Sequence, residues 1–204
     1  MRRPAARKPA KPLRKPEYFP PENVLTRVLP PELVGQREFE QYHFIGFDLS
    51  QADLSGRRFS ECLFENCNLA GTTLANTALQ NVAFAGCKLL GLQFTACRDL
   101  LFDVHFDQCQ LDYASFWGKV MPNTRFVGCS LQEADFTRCD LAGAVFQDSQ
   151  LHRAVFSQTS LPGADFTTAQ GVSLDPAINN VKQARFALSS LPGLLEQYEL
   201  VIEG

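Results

Sequence analysis

An apolar residue recurs every fifth position along most of this chain. In "ADFTRCDLAGAVF", residues 134–146, the recurring residues are Phe136, Leu141 and Phe146. A half-buried strand alternates every two residues and a helix returns every 3.6, so a period of five fits neither. It calls for a unit shorter than any ordinary element, repeated and stacked. From Phe39 to Phe94 every fifth residue is Phe or Leu. The register breaks once, at "CRDLL", where Leu101 is the next member, and it resumes through Phe166 with only Met121 departing from Phe or Leu. On this count Leu101 points inward and Phe102 outward.

The positions around each centre repeat as well. Two residues before it the side chain is small, as at Ala52, Ala114, Ala134, Ala144, Ala154 and Ala164, and all seven cysteines (62, 67, 87, 97, 109, 129 and 139) fall in this slot. Two residues after it Gly recurs, as at Gly46, Gly71 and Gly143, which suits a tight bend. Each unit is one short side plus one corner. From 101 onward Phe and Leu or Met alternate, so a four-cornered coil places Phe on two opposite sides and Leu on the other two, with a full turn every 20 residues.

Small residue, Asp or Asn, Leu or Phe, then two variable residues: "ADLSG", "CNLAG", "ADFTR", "CDLAG" and "ADFTT" closely resemble the motif of the pentapeptide-repeat family. The resemblance covers residues 37–188. It implies an all-β fold, a right-handed quadrilateral parallel β-helix. At strand spacing of roughly 4.8 Å, six to seven coils make a rod about 30 Å long. Open coil ends need covers. Residues 1–36 are expected to be a disordered basic Pro-rich tail and then an N-terminal cap, with "PPENVLTRVLPPELVGQREFEQYHF" lying over the first coil. In 189–204, "SLPGLLEQYELVIEG" reads as a Ser-capped, Pro-started short helix followed by a strand.

Charge divides the chain unevenly. Residues 1–16, "MRRPAARKPAKPLRKP", carry seven Lys or Arg, four Pro and no acid, which leaves 12 basic against 22 acidic residues and a formal charge of −10 on the body. Such a tail is expected to be disordered. It lacks the apolar core of a signal peptide and the Ser of a transit peptide, and no run nears the 18 or so apolar residues that span a bilayer. A cytoplasmic location, without membrane insertion, is expected.

Catalytic and metal chemistry find little support. No cysteine pair has the two-residue spacing of a zinc knuckle, and the shared slot marks the cysteines as small core residues. Cys67 and Cys87, and Cys109 and Cys129, are expected to stack one coil apart as free thiols. His43, His105 and His152 occupy different slots, with no nucleophile turn or phosphate loop nearby. No enzyme, small-molecule substrate, cofactor or metal is expected. Asp135 and Asp140 belong to a slot that is commonly polar and makes local hydrogen bonds. Arg57 and Lys119 are the two exceptions in the small slot, expected to snorkel or bulge.

One stretch stands out. Asp99, Asp103, Asp107 and Asp112 are interleaved with Phe102, Tyr113 and Trp117, all read as outward-facing, and acid with exposed aromatic is a candidate protein-partner surface. The chain's ending is similar to that of the quinolone-resistance (Qnr) branch of the family. That resemblance implies a homodimer through Leu191, Leu194, Leu195, Tyr198, Val201 and Ile202. It also implies a DNA mimic that binds or protects DNA gyrase or topoisomerase IV. Qnr proteins carry long projecting loops, which this chain lacks. The alternative is a structural scaffold with an unrelated partner.

Overall fold

A computed structural model describes residues 23–28 and 35–201. The expected tail, residues 1–16, lies outside the described residues. The chain winds into a four-sided parallel β-solenoid of about eight turns. One side, side 1, is a nine-stranded sheet of β1 (Val24–Thr26), β3 (His43–Ile45), β5 (Leu63–Glu65), β7 (Val82–Ala85), β8 (Val104–Asp107), β9 (Arg125–Val127), β10 (Val145–Gln147), β11 (Asp165–Phe166) and β12 (Arg185–Phe186), in that order. Side 4 begins as a three-stranded sheet of β2 (Glu38–Glu40), β4 (Arg58–Ser60) and β6 (Ala78–Gln80). Sides 2 and 3 are held by single parallel bridges such as Gln110↔Ser130↔Gln150 and Ser115↔Asp135↔Val155.

The period of five produces this shape because three residues make a side and two turn the corner. The residue after the turn donates its N–H to the centre's carbonyl, as Ala52 does to Leu49 (3.0 Å), and the corner residue has positive φ, as at Gly163 (+69°) and Arg153 (+60°). Residues 20 apart then pair between coils, Phe126 with Phe106 and Phe146 with Phe126. The Phe rings of side 1 stack 4.7 to 5.5 Å apart from Phe44 to Phe186. On side 3, Phe94, Phe116, Phe136 and Phe156 form the opposite stack, and the two meet edge-on, Phe126 against Phe136 at 5.6 Å and 81°. Leu111, Leu131 and Leu151 fill side 2 between them, fully buried. Each ring contributes about 1.5–3 kcal/mol by burial, so the ladder as a whole holds the fold.

The small slot has a second job. The centre's carbonyl lies beside the slot of the next coil, and most slots with a donor satisfy it: Cys67 Sγ–H to Phe44 O (3.4 Å), Thr77 Oγ1 to Leu54 O (2.9 Å), Thr159 Oγ1 to Phe136 O (2.9 Å). Cysteine is therefore selected as a small donor as well as a small apolar filler. All seven thiols are free and buried. Burial pushes those of Cys62, Cys97 and Cys139 up to about 12.

Both ends differ from the sequence reading. The turn count exceeds six to seven because β1 does not lie over the first coil: it pairs in parallel with β3, Leu25 against Phe44, as one more rung. At the other end β12 pairs with β11 one full coil on, Phe186 against Phe166, as their 20-residue spacing across "SLDPAINNVKQ" predicts, and the difference begins only after it. A 3-10 turn, Leu188–Ser190, leads into α1 (Leu191–Leu195) and a second 3-10 turn, Glu196–Tyr198. Pro192 stands in the first turn of α1 as expected, but Ser190 makes no side-chain cap bond and is itself buried. Residues 199–201 form no strand. The helix sits on the last coil through backbone, Leu174 N–H donating to Gly193 O (3.2 Å), and Leu194 packs against the core.

Candidate functional site

The break in the repeat builds an irregular surface on the rod's flank. Arg98 N–H still pairs with Thr77 O (2.9 Å), and Asp103 N–H rejoins the ladder at Leu79 O (3.0 Å). Between them Phe102 N–H closes a turn on Asp99 O (3.2 Å), with Leu101 at φ +58°. This is the ordinary corner repeated with Asp99 in the place of an apolar centre, five residues after Phe94. Leu101 therefore occupies the outward corner position and is 67% exposed, while Phe102 turns inward, 7% exposed, edge-on to Phe94. The sequence count had the two reversed, so Phe102 drops out of the candidate partner surface. Val82 then pairs with Val104 and phase is restored, 22 residues on instead of 20.

Lys119 explains how the break is held. It is 2% exposed, and its ammonium donates to Cys97 O (2.7 Å) and Asp99 Oδ1 (2.5 Å) while lying 5.1 Å from the centre of the Phe102 ring. A buried ammonium without partners costs several kcal/mol. Here the displaced loop supplies three. Arg57, the other exception, reaches back at the first coil to donate Nη1 to Gln36 O (2.7 Å). Neither needs a bulge of its own strand.

The remaining candidates do not form one patch, because residues 99–117 make nearly one circuit of the rod. Asp99 and Asp103 stand near the corner of sides 4 and 1, and Asp107 lies half-buried in β8 on side 1. Asp112 belongs to side 2 and accepts from Ser130 Oγ (2.5 Å) and Gln132 N–H (2.9 Å). Tyr113 is an exposed corner residue with φ +61°, and Trp117 is exposed on side 3 with the Arg138 guanidinium 5.7 Å from its ring centre. Neighbours on this surface are one coil apart in sequence. Spacing of about 20 is the signal by which Lys119–Asp99 and Arg138–Trp117 could have been found.

Side 1 carries the polar cluster of this level. His105 Nε2 lies 3.7 Å from Asp103 Oδ1, and Arg125 N–H donates to His105 Nδ1 (3.3 Å). Burial lowers the imidazole's pKa, and its effect outweighs the nearby Asp103 carboxylate, which raises it. The aspartates before the centres are turn acceptors: Asp53, Asp135 and Asp140 each take the N–H two residues on (2.8 to 3.1 Å). Among the described residues no group of three or more His, Cys, Asp or Glu is placed to hold a metal, and no helix is long and apolar enough to cross a membrane.

Beside the break an open groove of about 570 Å³ runs along the corner of sides 4 and 1. Glu40, Glu61 and Asp103 stand along it, and Leu101, Phe102 and Met121 lie at its far end. At the end of the rod, Leu191, Leu195, Tyr198 and Val201 are exposed, whereas Leu194 is spent on the core. Ile202 lies outside the described residues.

The model of the pentapeptide repeat region matches residues 37–116, 57–136 and 92–166. The chain belongs to the pentapeptide-repeat family. No curated protein matches it. Among solved pentapeptide-repeat structures it is similar to two trypsin-treated variants of QnrB1, a plasmid-mediated fluoroquinolone resistance protein. One has a TM-score of 0.60 at 16% identity over 89% of this chain and 99% of that one. The other has 0.59 at 16% over 81% and 90%. At that identity the likeness is one of fold. In this pentapeptide-repeat protein the register break, the groove and the exposed helix end are the departures from plain repeat.

Proposed function

We propose that this chain is a non-enzymatic protein-binding rod that takes the place of duplex DNA on a type II topoisomerase, DNA gyrase or topoisomerase IV. The observation that carries the reading is a parallel solenoid of about eight turns in a chain whose residues 17–204 bear a formal charge of −10. Such a field draws the rod toward a basic DNA channel and makes association salt-dependent. The fold likeness to a fluoroquinolone resistance protein points the same way. Asp103 and Asp107, at the two ends of β8 on side 1, are the acids offered to the partner, and the exposed Leu191, Leu195, Tyr198 and Val201 offer a self-complementary end for a two-fold dimer.

A scaffold role with an unrelated partner is favoured by a different observation. Acids and bases share single columns, as Asp48 and Lys88 do with Asn68 between them, and some are paired across coils, Arg153 with Glu133 and Arg185 with Asp165. The two readings separate in one assay. Purified protein is expected to inhibit gyrase supercoiling, or to protect gyrase from a fluoroquinolone, at low salt and progressively less as salt rises. Asp103→Asn with Asp107→Asn is expected to weaken the effect. Absence of any effect on gyrase and topoisomerase IV of the same cell removes the DNA-mimic reading and leaves the scaffold.

A further inference from the structure

The groove beside the register break and the basic segment 1–16 are complementary in charge, and Asn23, the first described residue, lies at the groove's near end. Asn23 donates Nδ2 to the carbonyls of Glu40 and Gln41, 3.3 Å each. Glu40 also lines the near end of the groove. The chain therefore enters the fold at the mouth of this groove. From there the lining climbs one coil at a time, through Glu61 and Asn81 to Asp103 and Pro122. Four coil steps at strand spacing span roughly 19 Å. Carboxylates stand at the first, second and fourth levels, and among the described residues no Lys or Arg lines the groove. At its far end Leu101 is held in solvent by the corner geometry, beside Phe102 and Met121.

We propose that the groove receives the basic, Pro-rich segment of its own chain, residues 1–16, with Leu13 against Leu101 and with Lys11, Arg14 and Lys15 among Glu40, Glu61 and Asp103. The reach is sufficient. Glu40 and Asp103 are three coil steps apart, roughly 14 Å, and the ten residues from Leu13 to Asn23 extend to at most about 33 Å. Pro-rich chain covers about 3.1 Å per residue in its preferred extended form and loses little entropy on docking. Six or seven residues of it fill the groove. Leu13 is the one large aliphatic residue between Met1 and Pro16, flanked on both sides by cations, and Leu101 is the exposed aliphatic residue of a groove rimmed by anions. Docking neutralises the acids of this corner, so a partner that engages them must displace the segment. The proposal does not depend on the identity of that partner.

Photo-crosslinking of the full chain tests it. With p-benzoylphenylalanine in place of Leu13, irradiation at micromolar concentration and 50 mM salt is expected to give intramolecular crosslinks to Leu101, Phe102 or Met121, read by mass spectrometry. Their yield is expected to fall at least fivefold in 1 M NaCl, where screening acts within roughly 3 Å, and likewise in the Glu61→Lys, Asp103→Lys double variant. The single Asp103→Asn variant, checked for an unchanged circular dichroism spectrum, is expected to lose part of the yield. Crosslinks spread over other sides of the rod, a yield indifferent to salt and charge reversal, or no crosslink above background would each overturn the proposal. Crosslinks between two chains whose yield scales with concentration overturn docking within one chain and assign the groove to a second copy's leader.

Discussion

The Lys119 ammonium lies 2.5 Å from the Asp99 carboxylate, twenty residues earlier in the chain and one turn lower on the rod. The two ends of this pair are unequal: Lys119 is 2% exposed and Asp99 87%. The carboxylate keeps most of its water, while the ammonium depends on the loop around it.

Lys119→Met keeps the aliphatic stem and removes the charge, leaving Cys97 O without its donor. A buried acceptor left unpaired costs about 1–3 kcal/mol, so the melting temperature is expected to fall by roughly 2–4 °C for each kcal/mol in a chain of this size. Asp99→Asn removes only an exposed pairing and is expected to cost less than about 1 kcal/mol. Thermal unfolding followed by circular dichroism checks both. Equal losses would place the grip in the ion pair and not in the carbonyl.

Phe136 stands between Phe116 at 5.2 Å and Phe156 at 5.1 Å, with no exposure. Phe136→Asp removes a buried ring, a loss of about 3–5 kcal/mol once the cavity left behind is added to the burial, and leaves an unpaired carboxylate in the same place. It is expected to prevent folding, while Phe136→Leu stays soluble with a lowered melting temperature. A soluble Asp variant with an unchanged transition would mean that the stack does not carry the fold.

His105 makes stability sensitive to mild acid. Its folded pKa lies below the ordinary 6.5, so above that pH both states are neutral at this residue. As pH falls below 6.5 the unfolded chain takes up the proton first, and stability is lost. The melting temperature is expected to fall between pH 7.5 and 5.5, and by less in His105→Gln. The facing groups are Asp103 and the Arg125 side chain, whose Nε is buried without a partner. If both proteins lose the same amount, the sensitivity lies elsewhere.

Gly193 is where α1 touches the solenoid. A Cβ there would stand 2.0 Å from Val172 O, a backbone atom that cannot step aside. Gly193→Ala is expected to lift the helix off the last coil and lower the melting temperature. If the dimer is built on α1, sedimentation of this variant, and of a chain ending at Ser189, shifts to the monomer mass. Full-length protein whose mass is that of a monomer at every concentration removes the dimer.

Thiol chemistry gives a fifth check. The seven cysteines are buried, with those of Cys62 and Cys97 pushed up to about 12, so at pH 8 almost no thiolate is available. A thiol reagent is expected to titrate close to none in the native protein and all seven in denaturant. Rapid modification of one thiol in the native state would mark a coil that opens.

The regular part of this molecule was legible because each centre answers to a residue 20 away, and chemistry repeats with that spacing: Phe106 with Phe126, Cys67 with Cys87. What escaped was whatever departs from the count. Counting could see that two extra residues had entered near 97–100, but not that Asp99 would hold a corner and send Leu101 outward and Phe102 inward. That choice depends on Lys119, which is near in space and remote in sequence. The aspartates and aromatics of 99–117 looked like a cluster because they are consecutive, and a chain that circles its axis every 20 residues disperses any consecutive run. Cysteine's role as donor was invisible because the receiving carbonyls carry no sequence signature. β1 has only three residues and lies outside the five-residue pattern.

The recovery of phase after the break bears on how such a molecule can change. The loop of residues 99–102 spends its irregularity within one turn, and by Phe106 the stack beneath shows no memory of it. Length, girth and surface relief are thus separate variables in this architecture. Twenty residues added anywhere lengthen the rod by one step without altering its width, and a corner can grow outward without disturbing the levels above or below. Variation at a corner is therefore local in its effects, a freedom that a globular core, where every side chain has neighbours from distant parts of the chain, does not grant.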